Sequence, residues 1–186
     1  MRILGIDPGL HTTGYGVIEG KGVSISLIEA GYIRTNPKEE IQSRLAHIHK
    51  AIGKIIRKFK PDVLVLEKLY AHWKHPTTAY ILGHARGVIC VSAQENGVEV
   101  VEYAATRIKK AVVGKGHAAK SQIQRMIQGI LRLKVLPEPA DVADALALAI
   151  GHSYMREKLV TSNRNVRTNS GFGTLVSGFS RTPACR

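Results

Sequence analysis

Four carboxylates stand where a carboxylate is costly. Asp7 ends the apolar run Arg2-Ile3-Leu4-Gly5-Ile6-Asp7 and is followed by the turn signal Pro8-Gly9. Glu67 ends a second run, Val63-Leu64-Val65-Leu66. Asp141 and Asp144 lie at i, i+3 in the first turn of the last helical stretch. Of only four aspartates in the chain, three are in this set, so acids are not scattered freely. A charge at the end of a buried strand is unfavourable unless it is paired or bound to a metal. The i, i+3 spacing puts Asp141 and Asp144 on one helix face, and the helix N-terminus tolerates their charge. Brought together, four acids repel, and some take up protons. A hard divalent cation removes that conflict. Mg²⁺ favours carboxylates, waters and substrate phosphate oxygens. Two such ions about 3.5–4 Å apart stabilise both the attacking and the leaving oxygen of a phosphodiester displacement. Asp7, Glu67, Asp141 and Asp144 are therefore the expected catalytic metal ligands. Each also has a plainer reading. Asp7 before Pro-Gly could form only a turn. Glu67 could pair with Lys68 or Lys120. Asp141 could cap its helix while Asp144 faces solvent.

The cations point to the substrate. The formal net charge is +13 and the pI about 10.0. A protein this basic usually meets a polyanion, and nucleic acid is the commonest. Between Ala104 and Val135 stand Arg107, Lys109, Lys110, Lys115, Lys120, Arg125, Arg132 and Lys134, with no acid among them. Lys109, Lys115 and Lys120 are expected to contact phosphates, which adds affinity without reading sequence. Lys120 could also stabilise a pentacovalent phosphate or orient water. Trp73 could stack on a base or pack beneath its own loop. His72, His75, His84 and His117 lack metal-ligand spacing. Cys90 sits in an apolar run, far from Cys185, and both fit a reducing, cytoplasmic setting. No secretory h-region and no stretch of membrane-spanning length stands out.

These residues need a scaffold. Residues 2–7, 14–18 and 23–34 read as three strands joined by tight turns, an antiparallel meander. In the third, Val23, Ile25 and Leu27 share one side. Ile41, Leu45, Ile48, Ile52, Ile55 and Phe59 recur at helical steps, which predicts a helix from about Lys38 to Phe59, ended by Pro61. Residues 63–67 read as a buried parallel strand. Residues 69–76 read as a loop and 77–95 as a helix opened by Pro76. A fifth strand is expected over 98–103. Short helices are expected over about 106–113 and 118–133, and a last helix over about 140–156. The result is an α/β domain over 1–156 with a mixed five-stranded sheet, three strands antiparallel and two parallel, flanked by helices. Residues 157–186 are rich in Ser, Thr, Asn, Gly and Arg and read as a basic, disordered tail.

The ordered motifs resemble a known family. Gly5-Ile6-Asp7-Pro8-Gly9 with Thr13-Gly14-Tyr15-Gly16, then Leu82-Gly83-His84-Ala85-Arg86-Gly87, are similar to the RuvC Holliday-junction resolvases. So are Val112-Val113-Gly114 with Lys120-Ser121-Gln122, and Ala140-Asp141-Val142-Ala143-Asp144-Ala145-Leu146-Ala147. The resemblance covers roughly residues 1–155. It implies an RNase-H-like fold and a homodimer formed through the helix 77–95. It also implies Mg²⁺-dependent (Mn²⁺ can substitute) symmetrical nicking of four-way junction DNA, in company with a branch-migration complex. The four acids fall on the family's acidic quartet, and Lys109 and Lys120 on lysines near the scissile phosphate. The family usually has Glu-Gln-x-Phe where this chain has Glu67-Lys68-Leu69-Tyr70, so Tyr70 takes the place of a base-contacting aromatic and keeps a stacking face. Arg86 is placed among the DNA contacts. Competing readings are a nuclease for RNA or other branched DNA, an actin-like ATP-binding protein, and an inactive DNA-binding module. The first shares the site, the second needs a second domain, and the third leaves the quartet unexplained.

Overall fold

The computed structural model describes residues 1–21, 24–69 and 76–169, with side chains described to Glu157 apart from Lys21 and Pro76. Five strands, β1 (Arg2–Asp7), β2 (Thr12–Lys21), β3 (Ser24–Arg34), β4 (Val63–Glu67) and β5 (Glu99–Tyr103), form one sheet in the order β3-β2-β1-β4-β5. The β1–β2 and β2–β3 pairs are antiparallel, and the β1–β4 and β4–β5 pairs are parallel, so the expected mixed sheet is present. β1 and β4 are central, and their near-continuous apolar runs are what a strand covered on both faces requires. Val23, Tyr70, the loop 71–75 with His72, Trp73 and His75, and Cys185 lie outside the described residues.

Pleating sends alternate side chains to opposite faces. Ile3, Ile18, Val63, Val65 and Val101 pack against helices α3 (Ala105–Val113), α4 (Lys120–Leu131) and α5 (Ala140–Asn169). Leu4, Ile6, Val17, Leu64 and Leu66 pack against α1 (Ile41–Phe59) and α2 (Pro76–Glu95). In β3 the alternation changes phase. Ile25 and Leu27 share a side as expected, but Ile28 is skipped in the β2 register, and beyond it Ala30 rather than Glu29 faces α5's side. A bulge of this kind adds one residue to one strand and shifts its facing pattern.

α1 begins at Ile41, three residues after the expected start. Asn36 explains this: its Oδ1 accepts the Lys38 N–H at 3.1 Å and its carbonyl accepts the Glu39 N–H at 3.1 Å, so a turn competes with the helix. Lys60, at φ 46°, closes α1 in the left-handed conformation ahead of Pro61. α4 ends two residues early for the same reason, with Arg132 at φ 53°. α5 continues to Asn169 rather than stopping at Arg156. No glycine or proline interrupts the chain between Gly151 and Gly171, so nothing in the backbone stops it there.

α5 lies very close to the sheet. A Cβ on Gly5 would stand 2.1 Å from the Ala145 carbonyl oxygen, and one on Gly14 would stand 2.1 Å from that of Asp141. Only glycine fits under such an approach. Alanines 143, 145, 147 and 149 are its complement on the helix, all buried.

Candidate active site

The close seat of α5 sets the site. Gly14 on β2 is the register partner of Asp7 on β1, and Gly14 touches the backbone of Asp141. The first turn of α5 therefore lies over the end of β1. Asp7 is two residues beyond Gly5 and four beyond Ile3, so it shares their face, toward α5. Glu67 follows Val63 and Val65 by the same alternation. Ile6 pairs with Leu66 in the parallel ladder, which puts Asp7 and Glu67 side by side one residue further on. Two adjacent parallel strands thus end in carboxylates beneath a helix start carrying two more. Strand C-termini of this kind are where α/β sheets hold ligands.

The electrostatics follow from that arrangement. The Asp7 carboxyl is pushed up from 3.8 to about 7, first by burial and then by Asp144, Asp141 and Glu67, with Lys120 opposing. Glu67 is also raised, by burial and by Asp144, with Lys109 and Lys120 pulling it down. Lys120 opens α4 and places Nζ 3.5 Å from Asp144 Oδ2. Two of the plainer readings meet specific contacts. The turn after Asp7 is held by Thr13, whose hydroxyl donates to the Gly9 carbonyl at 2.7 Å and takes the Gly9 N–H at 3.3 Å. Lys120 pairs with Asp144, not Glu67. Among the described residues, no three His, Cys, Asp or Glu side chains close into a finished metal cage, so the acids stand at electrostatic rather than ligating range. Their chemistry fits a hard divalent cation. It supplies oxygen donors only, and binding would offset both the burial and the repulsion that raise Asp7.

The cations are distributed around this cluster. Lys109 on α3 acts on Glu67 electrostatically, and Lys115 is exposed in the connection between α3 and α4. His117 is exposed there too. His84 is engaged locally, its Nδ1 2.9 Å from the Tyr80 carbonyl and its ring edge-on to the Tyr80 ring. Cys90 is partly buried against the α1–α2 side of the core. Arg86 departs from the DNA-contact expectation. Its side chain is only 12% exposed, paired with Glu102, and Nη1 donates to the Glu67 carbonyl at 2.6 Å. A guanidinium with one internal hydrogen-bond acceptor and one ion-pair partner is largely withdrawn from solvent. Sequence reasoning also missed Arg44 of α1, whose Nη2 donates to the Leu10 carbonyl at 3.2 Å and whose Nε donates to Thr35, securing the loop after Asp7. A groove of about 880 Å³ beside β3, lined by Leu27, Tyr32, Leu133 and Val135 among others, includes none of the four acids.

Comparison with known proteins identifies the family and the fold. The family model described as crossover junction endodeoxyribonuclease RuvC matches residues 3–152. A protein of that name from Rhodopirellula baltica is 46% identical over 153 residues, covering 82% of this chain and 86% of its own. The solved structure of T. thermophilus RuvC in complex with a Holliday junction substrate aligns at TM-score 0.80 and 35% identity, covering 85% of this chain and 96% of that one. The yeast mitochondrial Holliday junction resolvase shares the fold at TM-score 0.63 and 16% identity, covering 91% of this chain and 84% of its own. The sheet is the RNase-H-like one expected, and the chain belongs to the RuvC family of crossover junction endodeoxyribonucleases.

Proposed function

We propose that this chain is a divalent-metal-dependent endonuclease that resolves four-way DNA junctions by paired symmetrical nicks, working as a homodimer. The observation that carries the reading is that β1 and β4 end side by side in Asp7 and Glu67 beneath the first turn of α5, which bears Asp141 and Asp144. Asp7, Glu67, Asp141 and Asp144 would hold the metal, and Mg²⁺ is the ion their oxygen donors suit. When bound, such ions activate water and stabilise the leaving oxygen at a phosphodiester. The chain's own residues do the rest. The α5 seat on Gly5 and Gly14 fixes the first turn of α5, with Asp141 and Asp144, over the end of β1. Lys120 is placed to neutralise charge developing on the phosphate. Lys109 and Lys115 would hold the flanking backbone, and Tyr70 would stack beside the crossover.

The dimer is assigned to α2. Ala85, Ile89 and Ala93 face inward and are fully buried, whereas Tyr80, Gly83, Gly87 and Val91 recur at helical spacing on the exposed side. These line a shallow groove of about 520 Å³ with Leu45, His84 and Val88. Small residues between apolar ones suit the face of a second helix.

Incubation with a synthetic four-way junction and a linear duplex, with and without Mg²⁺, tests the reading. Paired nicks near the crossover are expected in the junction alone. Asp7→Asn should reduce them by roughly 10³-fold or more while leaving junction binding intact. Equal cutting of the linear duplex, or full activity in Asp7→Asn, would overturn it.

A further inference from the structure

We infer that Arg86 is a positioning residue for Glu67, fixing the end of β4 so that its carboxylate can serve the metal site. This rests on Glu67 being a ligand. Glu67 stands where the sheet gives out. Its pairing with β1 ends at Ile6–Leu66, and after Asp7, where β1 ends, comes Pro8, which has no N–H to extend the ladder. On the other side the Lys68 N–H still reaches the Tyr103 carbonyl at 2.8 Å. The backbone at Glu67 therefore has one strand's support and needs another donor.

Arg86 supplies it from the opposite face of the sheet. It projects from the buried side of α2, next to Ala85 and three residues before Ile89, both fully buried. Nη1 donates to the Glu67 carbonyl at 2.6 Å. The guanidinium also pairs with Glu102. Val101 and Tyr103 face α5, so Glu102 points toward α2 by alternation. One planar group thus ties α2 and β5 to the last peptide of β4. The orientation of that peptide sets the direction of the Glu67 side chain toward Asp7. A fork of fixed geometry can hold two acceptors at once, which a lysine ammonium on a flexible stem does poorly. Partners behind ligating carboxylates commonly matter in this way.

The test uses the full chain with Arg86→Gln, Arg86→Lys and Glu67→Gln. Mn²⁺ binding without DNA is followed by electron paramagnetic resonance, Mg²⁺ dependence by single-turnover junction nicking, and junction affinity in EDTA by fluorescence anisotropy. Arg86→Gln should weaken Mn²⁺ binding and raise the Mg²⁺ needed for half-maximal nicking by about tenfold, with junction affinity held within about twofold. Arg86→Lys should fall between it and the wild type. It also carries the test if the glutamine variant does not fold, since wild-type metal binding by the lysine variant would then overturn the inference. Wild-type Mn²⁺ binding by a folded Arg86→Gln overturns this inference and leaves the ligand assignment standing. So does a fall in junction affinity with metal binding unchanged, which would make Arg86 a DNA contact. Wild-type Mn²⁺ binding by Glu67→Gln removes the ligand assignment, and this inference with it.

Discussion

On one face of the sheet α5 lies so close to β1 and β2 that a single methyl at Gly5 or Gly14 would collide with its backbone. On the other, α1 and α2 stand off on bulky side chains: Ile48, Ile52, Ile56 and Phe59 from α1, and Ile89 from α2. The close face carries the acids and the far face the proposed interface between copies. The difference has a physical basis. Holding like charges together needs a seat that does not relax, and contact between helix and strand backbones leaves nothing to relax. A large-side-chain interface has rotamers to adjust and tolerates small shifts. Arg86 reaches from the far face to the backbone carbonyl of Glu67, whose side chain belongs to the near one.

Matched glycine substitutions test that contrast most severely. Gly5→Ala must move α5 or β1, since its Cβ would lie 2.1 Å from one backbone atom and 2.9 Å from another. The expected loss is about 3 kcal/mol of unfolding free energy, with nicking lost as the acids separate. Gly87→Ala meets nothing within 4 Å on the exposed side of α2. Its expected effect on the fold is neutral to about 1 kcal/mol stabilising, from helix propensity alone. Urea titrations of both proteins at low concentration, where association does not contribute, decide the matter. Equal losses at the two positions would mean that the faces are not built differently.

The Asp7 carboxyl gives a second, somewhat smaller effect. Its folded value, about 7, lies above its ordinary 3.8, so the folded state binds the extra proton between those values. Stability from this group is therefore lost as pH rises through that window, and above about pH 7 the ionised acid destabilises the metal-free fold fully. Asp7→Asn should raise unfolding free energy in EDTA by about 2–3 kcal/mol near pH 8 and leave it nearly unchanged near pH 3.5. A variant that is inactive yet more stable is what a site under internal repulsion predicts. Destabilisation near pH 8 would show that Asp7 instead contributes a favourable contact.

Much of this site was legible in the sequence, for identifiable reasons. Asp7 and Glu67 terminate apolar runs, and acids are few, so position alone marked them out. The parallel character of β4 followed from its continuous apolar run after a helix, whereas its place beside β1 is shown by the structure. What was hidden depends on contacts that leave no pattern. Gly5 and Gly14 looked like parts of a motif, and only the approach of α5 shows why no Cβ is allowed. Arg86 looked outward because cations usually do. Its inward turn depends on Glu102 and on a carbonyl that Pro8 cannot serve. Ile28 hid a bulge, because an extra apolar residue in a strand reads as more strand. Asn36 held back the start of α1 through a side-chain turn that periodicity does not register.

The smallest expected effect lies on the far face. Val91 is 52% exposed and Tyr80 66%, at one end and the other of the outward stripe of α2. Neither supports the core, so charging Val91 should leave the fold intact. If two α2 stripes pack against one another, Val91→Lys places a cation in an apolar contact, and by symmetry two of them near each other. Sedimentation equilibrium should then show the dimer dissociation constant raised by about tenfold or more, with thermal unfolding at low concentration unchanged. Paired nicking of a junction should fall with dimer occupancy, while single nicks persist. This separates the faces cleanly, since Asp7→Asn should abolish nicking and leave the dimer whole. An unchanged dimer in Val91→Lys would move the interface off this stripe, and the exposure of Tyr80 and Val91 would then need another explanation.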